Sequence, residues 1–237
     1  MVFNEKTGIY DKICNENWTG ADFVAAVSNN EIPEYVGGGF FPNIYACREC
    51  ENPEHWESLK EHIAQTIDNA ISISDEFKLS LDEKIVLVTA ATWHDVGKLI
   101  CRVRKTGHIC IKCGLPDYKN TSDYVGGCLR CGGTTELRNI VEYPEHAGVG
   151  ASIWLWGNIA KREKIPQLQS NRIGDIIYDH SRVHGDINNG KHEKDIMKVL
   201  LCWADEHSRI NPPHFLEDGL VEKREQLFQG AYERAIA

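Results

Sequence analysis

An all-α domain carrying one small inserted module is the fold class the sequence predicts, and three observations predict it. Apolar residues recur at helical spacing in successive stretches from residue 54 to the C-terminus. Helix-start chemistry precedes two of those stretches. Between residues 106 and 140 the helical pattern stops, replaced by turn residues and cysteines.

Residues 1–51 form an N-terminal extension of mixed character, with an amphipathic run at Ala21–Val27 that suits a short helix. Gly37-Gly38-Gly39 reads as a loop, because three glycines cost too much backbone entropy inside a helix. The domain proper spans 52–237. Asn52-Pro53 supplies an N-cap and a proline at the first helical position. The helix they open, Glu54 to about Ser74, places Trp56, Leu59, Ile63, Ile67, Ala70 and Ile71 on one stripe with His62 beside it. Ser80-Leu81-Asp82-Glu83 is a capping box that starts a second helix through Ile85, Val86, Val88 and Ala91. His94 and Asp95 sit at its far end. Helical spacing resumes at Pro144-Glu145-His146 and runs through Val149, Ile153, Trp154 and Ile159. Further helices are expected at Arg172–Arg182, at about His192–Ser208 and at Leu216–Ile236.

Composition narrows the function classes. A chain of 237 residues with 42% hydrophobic and 26% charged residues suits one substantial soluble domain. No stretch approaches the ~20 apolar residues of a membrane span. The start, Met1-Val2-Phe3-Asn4-Glu5-Lys6, lacks a signal-peptide layout. A cytoplasmic location without membrane partners is therefore expected. The net charge of −9 argues against broad coating of nucleic acid, though not against a local basic groove.

Nine cysteines is an odd number, and six of them fall in Cys-x-x-Cys pairs, which favours metal over a disulfide framework. Cys110-x2-Cys113 and Cys128-x2-Cys131, separated by fourteen residues, form two knuckles with Gly114 and Gly132 after the second cysteine of each. Four thiolates make a closed tetrahedral site, the pattern of one structural zinc. Segment 106–140 is thus expected to be a zinc ribbon. It either pins a long insertion or, with Arg102, Arg104, Lys105, Lys112, Arg130 and Arg138, guides a polyanion. Cys47-x2-Cys50 is a half-site whose other ligands are not evident, with Cys14 and His55 available.

The second group of candidates surrounds Trp93-His94-Asp95-Val96-Gly97-Lys98. One ligand-type residue accompanies each predicted helix: His62 before this pair, then His146, His180 and Asp205 after it. Neutral imidazoles with carboxylates suit Mn²⁺, Fe²⁺, Co²⁺ or Ni²⁺ and tolerate Mg²⁺ or Zn²⁺. Lys98 either neutralises a phosphate oxygen or is a solvated turn lysine.

His62 in Leu59-Lys60-Glu61-His62, the His94-Asp95 pair with Gly97-Lys98 behind it, and Ala204-Asp205 together resemble the HD-domain superfamily of metal-dependent phosphohydrolases, over about residues 53–210. His146 and His180 match the extra histidines of its two-metal members. The resemblance implies an HD helical bundle interrupted by the ribbon. It further implies one ion held by His62, His94, Asp95 and Asp205, with Asp95 bridging to a second ion held by His146 and His180. His184, four residues after His180, is open as the second-ion ligand or as a general acid. Within the superfamily, Trp56-x2-Leu59-x2-His62 and His180-Ser181-Arg182-Val183-His184-Gly185 are most similar to the stand-alone HD nucleases of CRISPR interference. Asp179 stands where that group has the first of two histidines. The implied substrate is single-stranded nucleic acid, a larger nucleoprotein complex is a further implied partner, and the implied role is antiviral defence. A nucleotidase or nucleoside-triphosphate phosphohydrolase is the alternative. The ligand order also resembles the di-iron HD oxygenases, and a non-catalytic adaptor that binds through the ribbon is the remaining class.

Overall fold

The middle of the molecule is a helix with no polar face. Among the described residues (59–99, 101, 103–111, 116–117, 132–156, 159–162, 165–208 and 220–237 of a computed structural model) there are seven α-helices and one small sheet. Their order is α1 (Leu59–Glu76), α2 (Leu81–Trp93), a 3₁₀ turn (Val96–Leu99), β1 (Val103–Cys110), β2 (Pro116–Asp117), β3 (Thr135–Glu142), α3 (His146–Trp156), α4 (Ile159–Arg162), α5 (Gln167–Asn188), α6 (Ile196–His207) and α7 (Leu220–Ile236). All nine residues from Ile85 to Trp93 of α2 are buried, and α1, α3, α5 and α6 pack around it. A helix that is apolar all round belongs in a core. Its β-branched residues are mediocre helix formers, so packing and the cap must hold it. The capping box forms as expected, with Glu83 N–H donating to Ser80 Oγ and Ser80 N–H donating to Glu83 Oε2.

The neighbours of α2 bring matching stripes: Leu59, Ile63, Ile67 and Ala70 from α1, Ile173, Ile176 and Ile177 from α5, and Met197, Leu200 and Leu201 from α6. Burying such side chains contributes about 1.5–3 kcal/mol each. Trp154 of α3 donates its indole N–H to Ser170 O at 2.9 Å, so its single polar atom is satisfied in the core. Helix α7 closes a second cluster, setting Phe228 and Ala231 against Val183 and Ile187 of α5 and Val199 and Cys202 of α6.

Where helix bounds differ from the sequence expectation, the cause is local chemistry. Helix α5 begins at Gln167 rather than Arg172, directly after Pro166, whose ring cannot donate within a helix. It also runs on to Asn188 because Val183 and Ile187 continue its buried stripe. It stops in a Schellman arrangement: Gly190 (φ +72°) lets its own N–H reach Ile187 O and the Lys191 N–H reach Asp186 O. Helix α6 starts at Ile196, not about His192, because the Asp195 carboxylate accepts the Met197 N–H. Residues 54–58, and the expected elements before them, lie outside the described residues, as does the expected start of the last helix at Leu216.

The described part of the inserted segment is mostly β-structure. β1 pairs antiparallel with β3 from Val103↔Glu142 to Cys110↔Thr135, and β2 pairs with the other edge of β1. The sheet therefore reaches beyond 106–140 at both ends. The outer pairs Val103↔Glu142 and Arg104↔Val141 contain no turn residue or cysteine that would mark them in the sequence as part of the module. No helix among the described residues is long and apolar enough to cross a membrane.

Candidate metal centre

Each candidate side chain is delivered by a helix terminus or a helix face turned toward the end of α2. His94 is the C-cap of α2, and Asp95 follows it into the 3₁₀ turn. That turn lies against the first turn of α3. A Cβ built on Gly97 would stand 1.9 Å from His146 O and 2.8 Å from Gly150 N. One built on Gly150 would meet His94 O at 3.3 Å. Two glycines thus let two backbones touch, and His146 arrives beside Asp95 as a result. His62 comes from the inner face of α1, His180 from α5 and Asp205 from the last turn of α6. Asn69 Nδ2 donates to Ala204 O at 3.1 Å and ties α1 to α6 next to Asp205.

The Asp95 carboxylate stands between two groups. Its Oδ2 is 3.1 Å from His62 Nε2 and 3.4 Å from His94 Nε2, while its Oδ1 is 3.2 Å from His146 Nε2 and 3.5 Å from His180 Nε2. Asp205 Oδ1 joins the first group, 3.1 Å from His62 Nε2 and 3.7 Å from His94 Nε2. The ligand atoms of His62, His94 and Asp205 lie within 4.8 Å of one another, and so do those of Asp95, His146 and His180. Bonds of ~2.1 Å to one ion set neighbouring donors roughly 3–3.5 Å apart. Both groups could therefore hold a metal ion.

The four rings are held in one sense. His94 Nδ1 donates to Ala91 O at 2.8 Å, His146 Nδ1 to Tyr143 O at 2.8 Å, and His180 Nδ1 to Ile177 O at 2.7 Å. Ser208 Oγ donates to Asp205 O at 2.6 Å, so at its 2.8 Å contact with His62 Nδ1 it is the acceptor. With the proton fixed on Nδ1, every neutral ring turns an Nε2 lone pair inward, the tautomer a metal ligand needs. His94 Nε2 is fully buried and makes no hydrogen bond.

Without a cation, the site balances its charge with protons and Lys98. Burial opposes the charged form of His94, but Asp95 and Asp205 outweigh it and push the pKa up to about 9. Burial raises the carboxyl pKa of Asp95, yet the charges of Lys98 and His94 hold it well below the usual carboxylate range. Asp205 is lowered in the same way by His62 and His94 against its burial. His180 moves the other way, lowered chiefly by burial, and so is neutral at pH 7. The side chains of His94 and Asp95 are 0% and 2% exposed, against 17% for His146 and 21% for Asp205. Solvent therefore reaches the cluster past His146 and Asp205.

The six side chains His62, His94, Asp95, His146, His180 and Asp205 are brought together; His184 is not. It lies one turn beyond His180, its Nε2 is 2.7 Å from Glu206 Oε2, and its ring packs on Phe228 of α7. Asp179 also faces elsewhere, accepting from Arg182 at 3.0 Å and from the buried Lys198 at 2.7 Å. Lys98 stays at the cluster, its ammonium on Asp95 Oδ2. Sequence reasoning missed Ser208, which fixes His62, and Ser181, whose hydroxyl is 3.2 Å from both His146 Nε2 and His180 Nε2. A serine at a helix end or on an exposed face carries no signal of such a role.

Of the four module cysteines, Cys110 is described, buried at the end of β1; Cys113, Cys128 and Cys131 lie outside the described residues, as do Cys47 and Cys50. Gly132 has φ +67°, a left-handed conformation that favours glycine. Ile111 N–H donates to Thr134 O, drawing the two ends of the module together. Scans against family models, curated proteins and solved structures each find no match to this chain.

Proposed function

We propose that the chain is a metal-dependent phosphohydrolase of the HD superfamily, a phosphodiesterase acting on single-stranded nucleic acid. One observation carries the reading: a single buried carboxylate, Asp95, turns one oxygen to His62 and His94 and the other to His146 and His180. A structural aspartate needs no such symmetry, and four inward Nε2 lone pairs with two carboxylates match the donor set of borderline divalent cations. Such ions, when bound in a pair, supply Lewis acidity that lowers the pKa of a water and offsets charge on a phosphoryl group. The residues themselves do the rest. Main-chain carbonyls hold His94, His146 and His180 by Nδ1, so the rings need not reorient when the site fills. The buried floor at His94 and Asp95 keeps bulk water on the His146 and Asp205 side. Lys98, already beside Asp95, supplies the positive charge nearest to where a phosphate oxygen would enter. The cysteine module, flanking this mouth in sequence, is proposed to hold one structural zinc.

The test is direct. The purified chain is analysed for metal, then offered single-stranded DNA, single-stranded RNA, a generic phosphodiester and a nucleotide panel with Mn²⁺, Co²⁺, Ni²⁺ or Mg²⁺. Polymer cleavage that is lost with Asp95→Asn is expected. Hydrolysis of nucleotides alone would replace the nuclease reading with the nucleotidase one. An O₂-dependent product from an iron-loaded protein would replace both.

A further inference from the structure

Ser181 touches the cluster without a part in the six-residue reading. Its hydroxyl stands 3.2 Å from His146 Nε2 and 3.2 Å from His180 Nε2. Both rings have committed their Nδ1 hydrogens to the carbonyls of Tyr143 and Ile177. Each Nε2 that faces Ser181 therefore offers a lone pair. A serine has one hydroxyl hydrogen and can satisfy one of the two nitrogens, leaving the other to face an oxygen lone pair.

Four other helical hydroxyls bond back to the carbonyl four residues earlier. Thr66 does so to His62, Ser74 to Ala70, Thr92 to Val88 and Ser152 to Gly148. For Ser181 that carbonyl is Ile177 O, which already accepts from the His180 ring. The hydroxyl is thus left to point at the cluster. Asp95 Oδ1 completes the set, 3.2 Å from His146 Nε2 and 3.5 Å from His180 Nε2. The four neighbouring separations in this set, 3.2 to 3.5 Å, are the donor spacing that bonds of ~2.1 Å to one ion set.

We infer that Ser181 Oγ is the fourth donor to a divalent cation held by Asp95, His146 and His180. The inference rests on the reading of those three as a metal-holding group and adds the residue that closes its open side. Ser181 is exposed, so its replacement removes the donor without opening the core.

The full chain is titrated with Mn²⁺, and free ion is followed by electron paramagnetic resonance for wild type, Ser181→Ala and Ser181→Cys. Wild type should take two ions. Ser181→Ala should keep the first at wild-type affinity and bind the second at least ~10-fold more weakly. Cobalt-loaded Ser181→Cys should gain a near-ultraviolet thiolate-to-Co²⁺ absorption over cobalt-loaded wild type, whose own cysteines cancel in the difference. Unchanged second-ion affinity in Ser181→Ala, or no new band in Ser181→Cys, overturns the inference. Failure of wild type to bind two ions would instead remove the metal-centre reading beneath it.

Discussion

Replacing Gly97 by alanine should damage the proposed metal centre without touching a candidate ligand. The new Cβ would sit 1.9 Å from His146 O, 2.8 Å from His146 C and 2.8 Å from Gly150 N. Contacts under 3.0 Å are essentially never made by real Cβ atoms, so the gap to His146 O must widen by more than 1 Å. All three atoms are main chain, so no side-chain rotation relieves the clash. Overpacking of this kind costs about 1–3 kcal/mol, and rigid partners put this case at the upper end. At about 2–4 °C per kcal/mol for a chain of this size, Tm should fall by roughly 6–12 °C. Because α3 must retreat from the 3₁₀ turn, His146 leaves Asp95, and the second Mn²⁺ should bind at least ~10-fold more weakly. Gly185→Ala is the internal control, since a Cβ there meets nothing within 4 Å on helix α5. It should be neutral or stabilise by about 0.5–1 kcal/mol through helix propensity. Differential scanning calorimetry with Mn²⁺ titration reads both effects. If Gly97→Ala melts within about 1 °C of wild type and binds both ions normally, the close approach does not set the site.

Three further outcomes follow from the same geometry. Asp95→Asn removes the carboxylate shared by the two groups, so metal analysis should find fewer than two active-site ions and turnover at background, while any zinc in the cysteine module stays. The raised pKa of His94, about 9, makes protons compete with metal. Metal affinity should climb with pH, about tenfold per unit for one displaced proton, and level off above about 9. For the same reason the metal-free protein should be stabilised below the unfolded histidine pKa of about 6.5, and lose that stabilisation as pH rises through about 9. Melts of stripped and loaded protein across this range check both statements. His184→Gln should weaken the pairing with buried Glu206 and cost about 1–3 kcal/mol, yet leave ion stoichiometry unchanged. A lost ion in that variant would return His184 to the centre.

Much of this arrangement is legible in the sequence because periodicity reports burial. The stripe through Leu59, Ile63 and Ile67 fixes which face of α1 meets the core, and His62 beside it must lie at the edge of that core. The capping box fixes the start of α2, so His94 and Asp95 fall at its end. What pattern cannot supply is the direction of a polar side chain. His180 and His184 share a helix face by spacing, and only the pairing of His184 with Glu206 separates them. Asp179 likewise looks like a ligand position until Lys198, buried on α6, claims it. Strand edges such as Val103 and Glu142 carry no turn residue to announce them, so the module reads shorter in sequence than it is.

The polar cluster makes little sense as a stabilising device. Two carboxylates, four imidazoles and one ammonium meet at the end of α2, whose last nine residues are all buried. Placing charges there costs several kcal/mol per ion before any attraction is counted, and apolar side chains of similar volume would usually serve stability as well or better. With neutral rings, Asp95 and Asp205 oppose only Lys98, and a net negative charge remains. Holding a proton on His94 cancels it, which is why that imidazole is driven to about 9 although it is fully buried. A bound cation would supply that positive charge instead. The anchoring bonds point the same way: Nδ1 of His94, His146 and His180 is tied to the carbonyl three residues back, leaving Nε2 for the interior. Cation binding accounts for the tautomers, the displaced pKa and the two-sided carboxylate together.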